Sequence, residues 1–446
     1  MFLLETNEKL VLLLIIFGSL ILNFIYFLFT INNQKKINYL HPGWLIIAVL
    51  FLYGQVTPIY VLFVQVEDIN NHLFIRLFNF DYFIEIYLMY VLTTLLFFIV
   101  DLIFYSSINN KNKIIEFSNF EKSKERSVFL TGVLLYVIGI IIFIYNFKTI
   151  NSLDTQYIYD KTSRLNGDEI NLGISHTSFY MVSFFFLFNS FYITNKKAIK
   201  TVIILMFITF SFFIFYLGTT LQVFLMVIAF FYITFKYSAN KFKKLLIYSV
   251  IIIPVFYFCV QFSEAYRLYK LKLTNKIDLV NLFDFSTFES ITGYISGLIF
   301  LNTTNLKEKY NFADLILGFL PGSVENKIGD QRITITEIIN QSPFLTSNGL
   351  YVPTLPISML FNVVLSIIIL IIVYFSISYI LYFLNRGSIS KFLVSILIYI
   401  EIFYLLRINM EAWLGKLRLD LVILLVGIIL YKFLNSYFYK INKKGE

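Results

Sequence analysis

Apolar runs long enough to cross a bilayer recur along almost the whole chain, and few folds are compatible with that pattern. A hydrocarbon core about 30 Å thick needs roughly 20 residues of helix. Runs near that length lie at about residues 10–31, 42–64, 82–105, 128–147, 176–194, 201–218, 220–236, 245–261, 355–384, 392–407 and 418–437. The expected fold is therefore an all-α polytopic membrane protein with about eleven transmembrane helices. Composition agrees: 58% of the 446 residues are hydrophobic, 14% are charged, and the mean hydropathy is +0.77. The 52 Phe and 32 Tyr suit helices that pack against lipid and place Tyr at headgroup depth. The first run has no small-residue cleavage site and is followed by many like it, so it reads as a retained helix.

Several chemistries are excluded early. One cysteine, Cys259, leaves no disulfide or Cys-based metal site within the chain. Three widely separated histidines, His41, His72 and His176, argue against a His-rich metal centre. The net charge of +9 does not point to nucleic acid, because the basic residues sit in short connections between apolar runs. Lys35 and Lys36, Lys111 to Arg126, Lys196 to Lys200, Lys241 to Lys244, Arg386 and Lys391, and Lys440 to Lys444 fall on one side of an eleven-span topology. The positive-inside rule makes that side cytoplasmic, with the amino terminus outside and the carboxyl terminus inside.

Four segments then face outward: 65–81, 148–175, the tight turn at 217–220, and a long stretch over 262–354. The last stands out, since long loops in compact membrane proteins tend to be functional. Within it, residues 285–302 place apolar side chains at helical spacing and read as an amphipathic or re-entrant helix at the outer interface. No internal repeat or soluble domain is visible, so residues 1–446 read as a single membrane domain.

The outer segments carry cations that topology does not require: Lys161 and Arg164, Arg267, Lys270, Lys272 and Lys276, Lys307 and Lys309, Lys327 and Arg332, then Arg407, Lys416 and Arg418. A phosphate at headgroup depth would account for them, with Arg as a planar bidentate donor and Lys as a mobile point charge. Solvated loop cations would account for them too: the long loop holds eight Lys/Arg against nine Asp/Glu. The stretch LLRINMEAWLGKLRLD, 405–420, is more demanding because it lies between two apolar runs. On one continuous helix, Arg407, Glu411 and Arg418 would fall within about 40° of each other, with Lys416 pointing away. Gly415 is a candidate break in that helix. Two readings compete here. In one, an Arg407–Glu411 pair anchors a helix end with Trp413 at the interface; in the other, these groups line a cavity and handle a phosphate or a sugar hydroxyl. Glu401, deeper in the same run, is a candidate lining residue or a helix–helix hydrogen-bonding group. A second cluster, 320–343, places Lys327, Asp330 and Arg332 among turn signals whose glycines let a phosphate approach the backbone.

In these two places the sequence resembles the Wzy-type O-antigen, or oligosaccharide repeat unit, polymerases, and within them the enterobacterial common antigen polymerases. FADLILGFLPGSVENKIGDQRITITEIIN followed by NGLYVPTLP resembles the family's outer-loop pattern. LRINMEAWLGKLR resembles its Arg, an acid four residues on and a base five further: Arg407, Glu411, Lys416. One departure is YLGTTLQ, where Thr220 and Leu221 stand in place of an expected cation; Arg267 or Lys270 would take that part.

The resemblance implies a GT-C-like architecture, a site facing outward from the bacterial cytoplasmic (inner) membrane, and glycosyl transfer from one polyprenyl-diphosphate-linked oligosaccharide to another. It also implies a separate chain-length regulator as partner. Glu411 and Arg407 are the expected catalytic residues, and Arg267, Lys270, Lys327, Arg332, Lys416 and Arg418 the expected diphosphate or substrate ligands, with no metal and no cofactor. A GT-C glycosyltransferase or ligase, with Glu67 and Asp68 as an early acidic pair, and a lipid-linked oligosaccharide flippase are the competing expectations.

Overall fold

The computed structural model describes residues 3–64, 72–108, 124–150, 176–216, 221–238, 289–303, 354–385, 388–407 and 410–445, with isolated positions 247, 250 and 339. Among these residues all regular structure is helical. The helices are α1 (Thr6–Asn33), α2 (Pro42–Gly54), α3 (Val56–Phe63), α4 (His72–Leu77), α5 (Phe80–Ser107), α6 (Glu125–Ile150), α7 (His176–Ile193), α8 (Lys197–Tyr216) and α9 (Leu221–Tyr237). They continue with α10 (Glu289–Asn302), α11 (Leu355–Ser358), α12 (Val363–Leu384), α13 (Ile389–Arg407) and α14 (Met410–Gly445). Six helical segments among the described residues are long and apolar enough to cross a membrane: Thr6–Lys36, Pro42–Phe63, Phe80–Ser107, Glu125–Ile144, Val363–Leu384 and Ile389–Arg407. The protein is an all-α membrane protein.

Along α1 the exposed face is apolar and the buried face carries polar groups, unlike a helix of a water-soluble fold. On α1, Leu10, Leu14, Phe17, Ile21, Phe24 and Leu28 are exposed, whereas Ser19, Asn23, Thr30 and Asn33 are buried. Lipid solvates the apolar face at no cost, and the polar groups turn inward to find partners. Asn23 and Thr30 donate to the carbonyls one turn back, those of Ser19 and Tyr26.

The chain divides into two compact units, one of residues 1–112, 284–383 and 401–418, the other of 113–283, 384–400 and 419–446. In the first, α1, α2 and α5 pack together and α10 lies against α2, α4, α5 and α11. The run at 42–64 is two helices rather than one. Pro58 lacks the N–H that would bond the Gly54 carbonyl, so the helix breaks at Gln55. Tyr294 of α10 donates to that freed carbonyl at 2.8 Å. Gln55 is buried at that break; its side-chain amide donates to the Ser19 hydroxyl, and its side-chain carbonyl accepts from the Tyr87 hydroxyl at 2.6 Å.

A helix does form within 285–302, but it does not lie on a surface. Ile291, Tyr294, Ile295, Ser296, Leu298, Ile299 and Phe300 are all buried, so α10 is enclosed by its neighbours rather than floating in an interface. Gly297 allows this: a Cβ there would come within 2.7 Å of the Ile86 side chain on α5.

In the second unit α6 and α7 pack along their lengths, and α9 packs on α7. Tyr232 of α9 accepts from the Asn385 amide at 2.6 Å and lies 4.4 Å, centroid to centroid, from Tyr399. Lys236 donates to the Asn385 carbonyl just past α12, satisfying a helix end with a cation.

Candidate functional site at the α13–α14 junction

The charged stretch between the last two apolar runs is not a loop of ten residues. α13 continues to Arg407 and α14 begins at Met410, so only two residues separate the helices. Gly415, the candidate break, lies inside α14. The single-helix projection of Arg407 with Glu411 and Arg418 therefore does not apply, because Arg407 belongs to a different helix from the other two.

The break has a consequence for Lys416, which was expected to point away. Its Nζ sits 3.7 Å from Glu401 Oε1 and 4.1 Å from the centre of the Tyr404 ring. Glu401 and Tyr404 are one turn apart on α13, and both are buried, Glu401 to 1% exposure. Lys416 keeps a quarter of its side chain exposed. A side chain held between a carboxyl group and a π-face, partly withdrawn from solvent, is aimed rather than freely rotating.

Arg407, in the last turn of α13, donates from Nε to the Tyr53 hydroxyl of α2 at 3.2 Å. A cation at a helix C-terminus complements the exposed carbonyls there. Trp413, one turn before Lys416, is buried, and its indole N–H has no hydrogen-bond partner among the described residues. Arg418 is half-buried on the same helix. Glu411 is the second residue of α14, and its side chain lies outside the described residues. So do Arg267, Lys270, Lys327 and Arg332, the acids Glu67 and Asp68, the outer cations Lys161, Arg164, Lys272, Lys276, Lys307 and Lys309, and the turn at 217–220.

The structure thus brings together Lys416 with Glu401 and Tyr404, and Arg407 with Tyr53, all within one compact unit. Each of the two cations is held by a named partner, Lys416 by Glu401 and Tyr404 and Arg407 by Tyr53. The sequence leaves Glu401 as either a lining residue or a helix–helix hydrogen-bonding group and does not pair it with Lys416. Its isolation as an acid within the run SILIYIEIFYLL was the available signal. No family model matches this chain, and no curated protein or solved structure matches it either.

Proposed function

We propose that this protein polymerises polyprenyl-diphosphate-linked oligosaccharide repeat units. A growing glycan is transferred onto the non-reducing end of a new lipid-linked unit, on the outer face of the bacterial cytoplasmic membrane, for an O-antigen, capsule or related polysaccharide. The observation that carries this reading is the pairing of Lys416 with buried Glu401, together with the tie of Arg407 to Tyr53, in the segment whose spacing resembles the Wzy-type polymerases. The proposal keeps the eleven-span, GT-C-like arrangement and the outward-facing site.

The chemistry asks little beyond positioning and charge. The bond that breaks joins the donor glycan's anomeric carbon to a diphosphate oxygen, and the diphosphate leaves with the electron pair. Arg407 and Lys416 stabilise the charge that develops on it, Arg407 through a planar fork and Lys416 through an ammonium held by Glu401. Arg418, Arg267, Lys270, Lys327 and Arg332 are the further anion ligands. Glu411 accepts the proton of the attacking acceptor hydroxyl.

The test is elongation by the purified protein given lipid-linked repeat units alone. Polymer should form without another donor. Arg407→Ala and Glu411→Ala should each lower turnover by about 100-fold or more, as expected for the loss of a group acting in the transition state. A requirement for a polyprenyl-monophosphate sugar would transfer the protein to the GT-C glycosyltransferases. Movement of unmodified lipid-linked units between leaflets, without elongation, would make it a flippase.

A further inference from the structure

The first unit contains a second group of ionisable side chains that the proposed chemistry does not use. Asp101, on α5, is 1% exposed. Its Oδ2 accepts from the Tyr26 hydroxyl of α1 at 2.6 Å and its Oδ1 from the Tyr374 hydroxyl of α12 at 3.0 Å. The imidazole of His41, fully buried, brings Nε2 to 3.8 Å from Oδ2. Tyr105, one turn beyond Asp101, stacks on that imidazole with ring centroids 4.8 Å apart, and its hydroxyl has no hydrogen-bond partner among the described residues.

The tautomer of His41 follows from its neighbours. Nδ1 accepts from the Gly43 backbone N–H at 2.7 Å, capping α2 ahead of Pro42. A nitrogen that accepts carries no proton, so the ring is neutral and its hydrogen is on Nε2. Burial agrees, pushing the imidazole down to about 3. Gly43 is needed for this approach, since a Cβ there would meet Nδ1 at 2.8 Å. Capping explains Nδ1, and a serine or asparagine would cap as well. It does not explain why Nε2 is buried opposite a carboxylate yet has no hydrogen bond.

We propose that Asp101 and His41 form a buried proton-binding pair, separate from the α13–α14 site, that exchanges one proton with water. Both groups are too enclosed for any ligand much larger than a proton. Asp101 meets phenols and an imidazole but, among the described residues, no lysine or arginine, and a buried carboxylate without a cation is costly. A proton arriving from water adds to a carboxylate oxygen, since the Gly43 N–H blocks its addition at Nδ1. The acid then donates to the hydroxyl of Tyr26 or Tyr374, and release reverses these steps. The groups facing the pair are Tyr26 of α1, Tyr39 and His41 of the connection after α1, Tyr105 of α5 and Tyr374 of α12. Lys35 and Lys36, exposed on that same connection, lie where it meets water.

The proposal is read by infrared difference spectroscopy of the full chain in lipid nanodiscs as pH is stepped across the neutral range. A carboxyl C=O absorption should appear on acidification, vanish in Asp101→Asn, and shift its midpoint by about one unit or more in His41→Asn, which keeps the cap. Absence of an Asp101-dependent carboxyl signal at every pH at which the protein stays folded would overturn it. So would an unchanged midpoint in His41→Asn, which would leave His41 a cap alone. The measurement involves no glycan, so its outcome is independent of the polymerase reading.

Discussion

At the scale of single residues, the pairing of Glu401 with Lys416 changes what substitutions should do. Lys416→Met removes a cation but leaves Glu401 buried beside Tyr404, and Glu401→Gln releases Lys416 from its partner. Breaking one side of a buried pair costs about 3–5 kcal/mol in the fully buried limit. Lys416 is a quarter exposed, so a cost nearer about 1–3 kcal/mol is expected for either change. The double variant should cost clearly less than the sum of the singles, and thermal melts of all four proteins in detergent measure the difference. Additive losses would mean that the two side chains act independently. The charges themselves were legible in the sequence, because Arg407, Glu411 and Lys416 stand out against hydrocarbon. The partner of Lys416 was not, since Glu401 is fifteen positions away across a helix break for which the sequence offered only Gly415 as a candidate.

At the scale of elements, most helices were legible because an apolar run of fixed length has one stable form in lipid. Their interruptions were less so. The division of 42–64 follows from Pro58, but it also depends on Tyr294, 240 residues later in sequence, to satisfy the Gly54 carbonyl. α10 shows the same limit. Its apolar spacing identified a helix, yet an interfacial helix and an enclosed one share that spacing. Enclosure depends on Gly297 meeting Ile86. Gly297→Val should therefore destabilise the protein by about 1–3 kcal/mol through overpacking. Ile86→Ala in the same background should recover part of that loss, as followed by thermal melts. If Gly297→Val melts like the parent, α10 is not held as tightly as this contact requires.

At the scale of the whole molecule, exposed leucines and phenylalanines on α1 and its buried serine, asparagines and threonine identify lipid as the solvent. The basic connections give the orientation to be tested. In a Cys259→Ala background, Thr6→Cys should react with a membrane-impermeant maleimide in intact cells, and Lys36→Cys only after permeabilisation. Both positions are exposed, so accessibility reports sidedness rather than burial. The reverse pattern would invert the topology and place the α13–α14 junction on the cytoplasmic side, removing the outer-face polymerase reading.

The sequence by itself determined the solvent, the helical class and the sites of unexpected charge. Each follows from local hydropathy, and a hydrocarbon environment tolerates few alternatives. Tertiary structure decided which charges meet. Lys416 is aimed at Glu401 because the chain turns within two residues between α13 and α14. Asp101 finds His41 because α1, α2 and α5 pack side by side. Neither contact leaves a trace in sequence spacing, since in lipid the pairing of polar groups is set by which helices become neighbours.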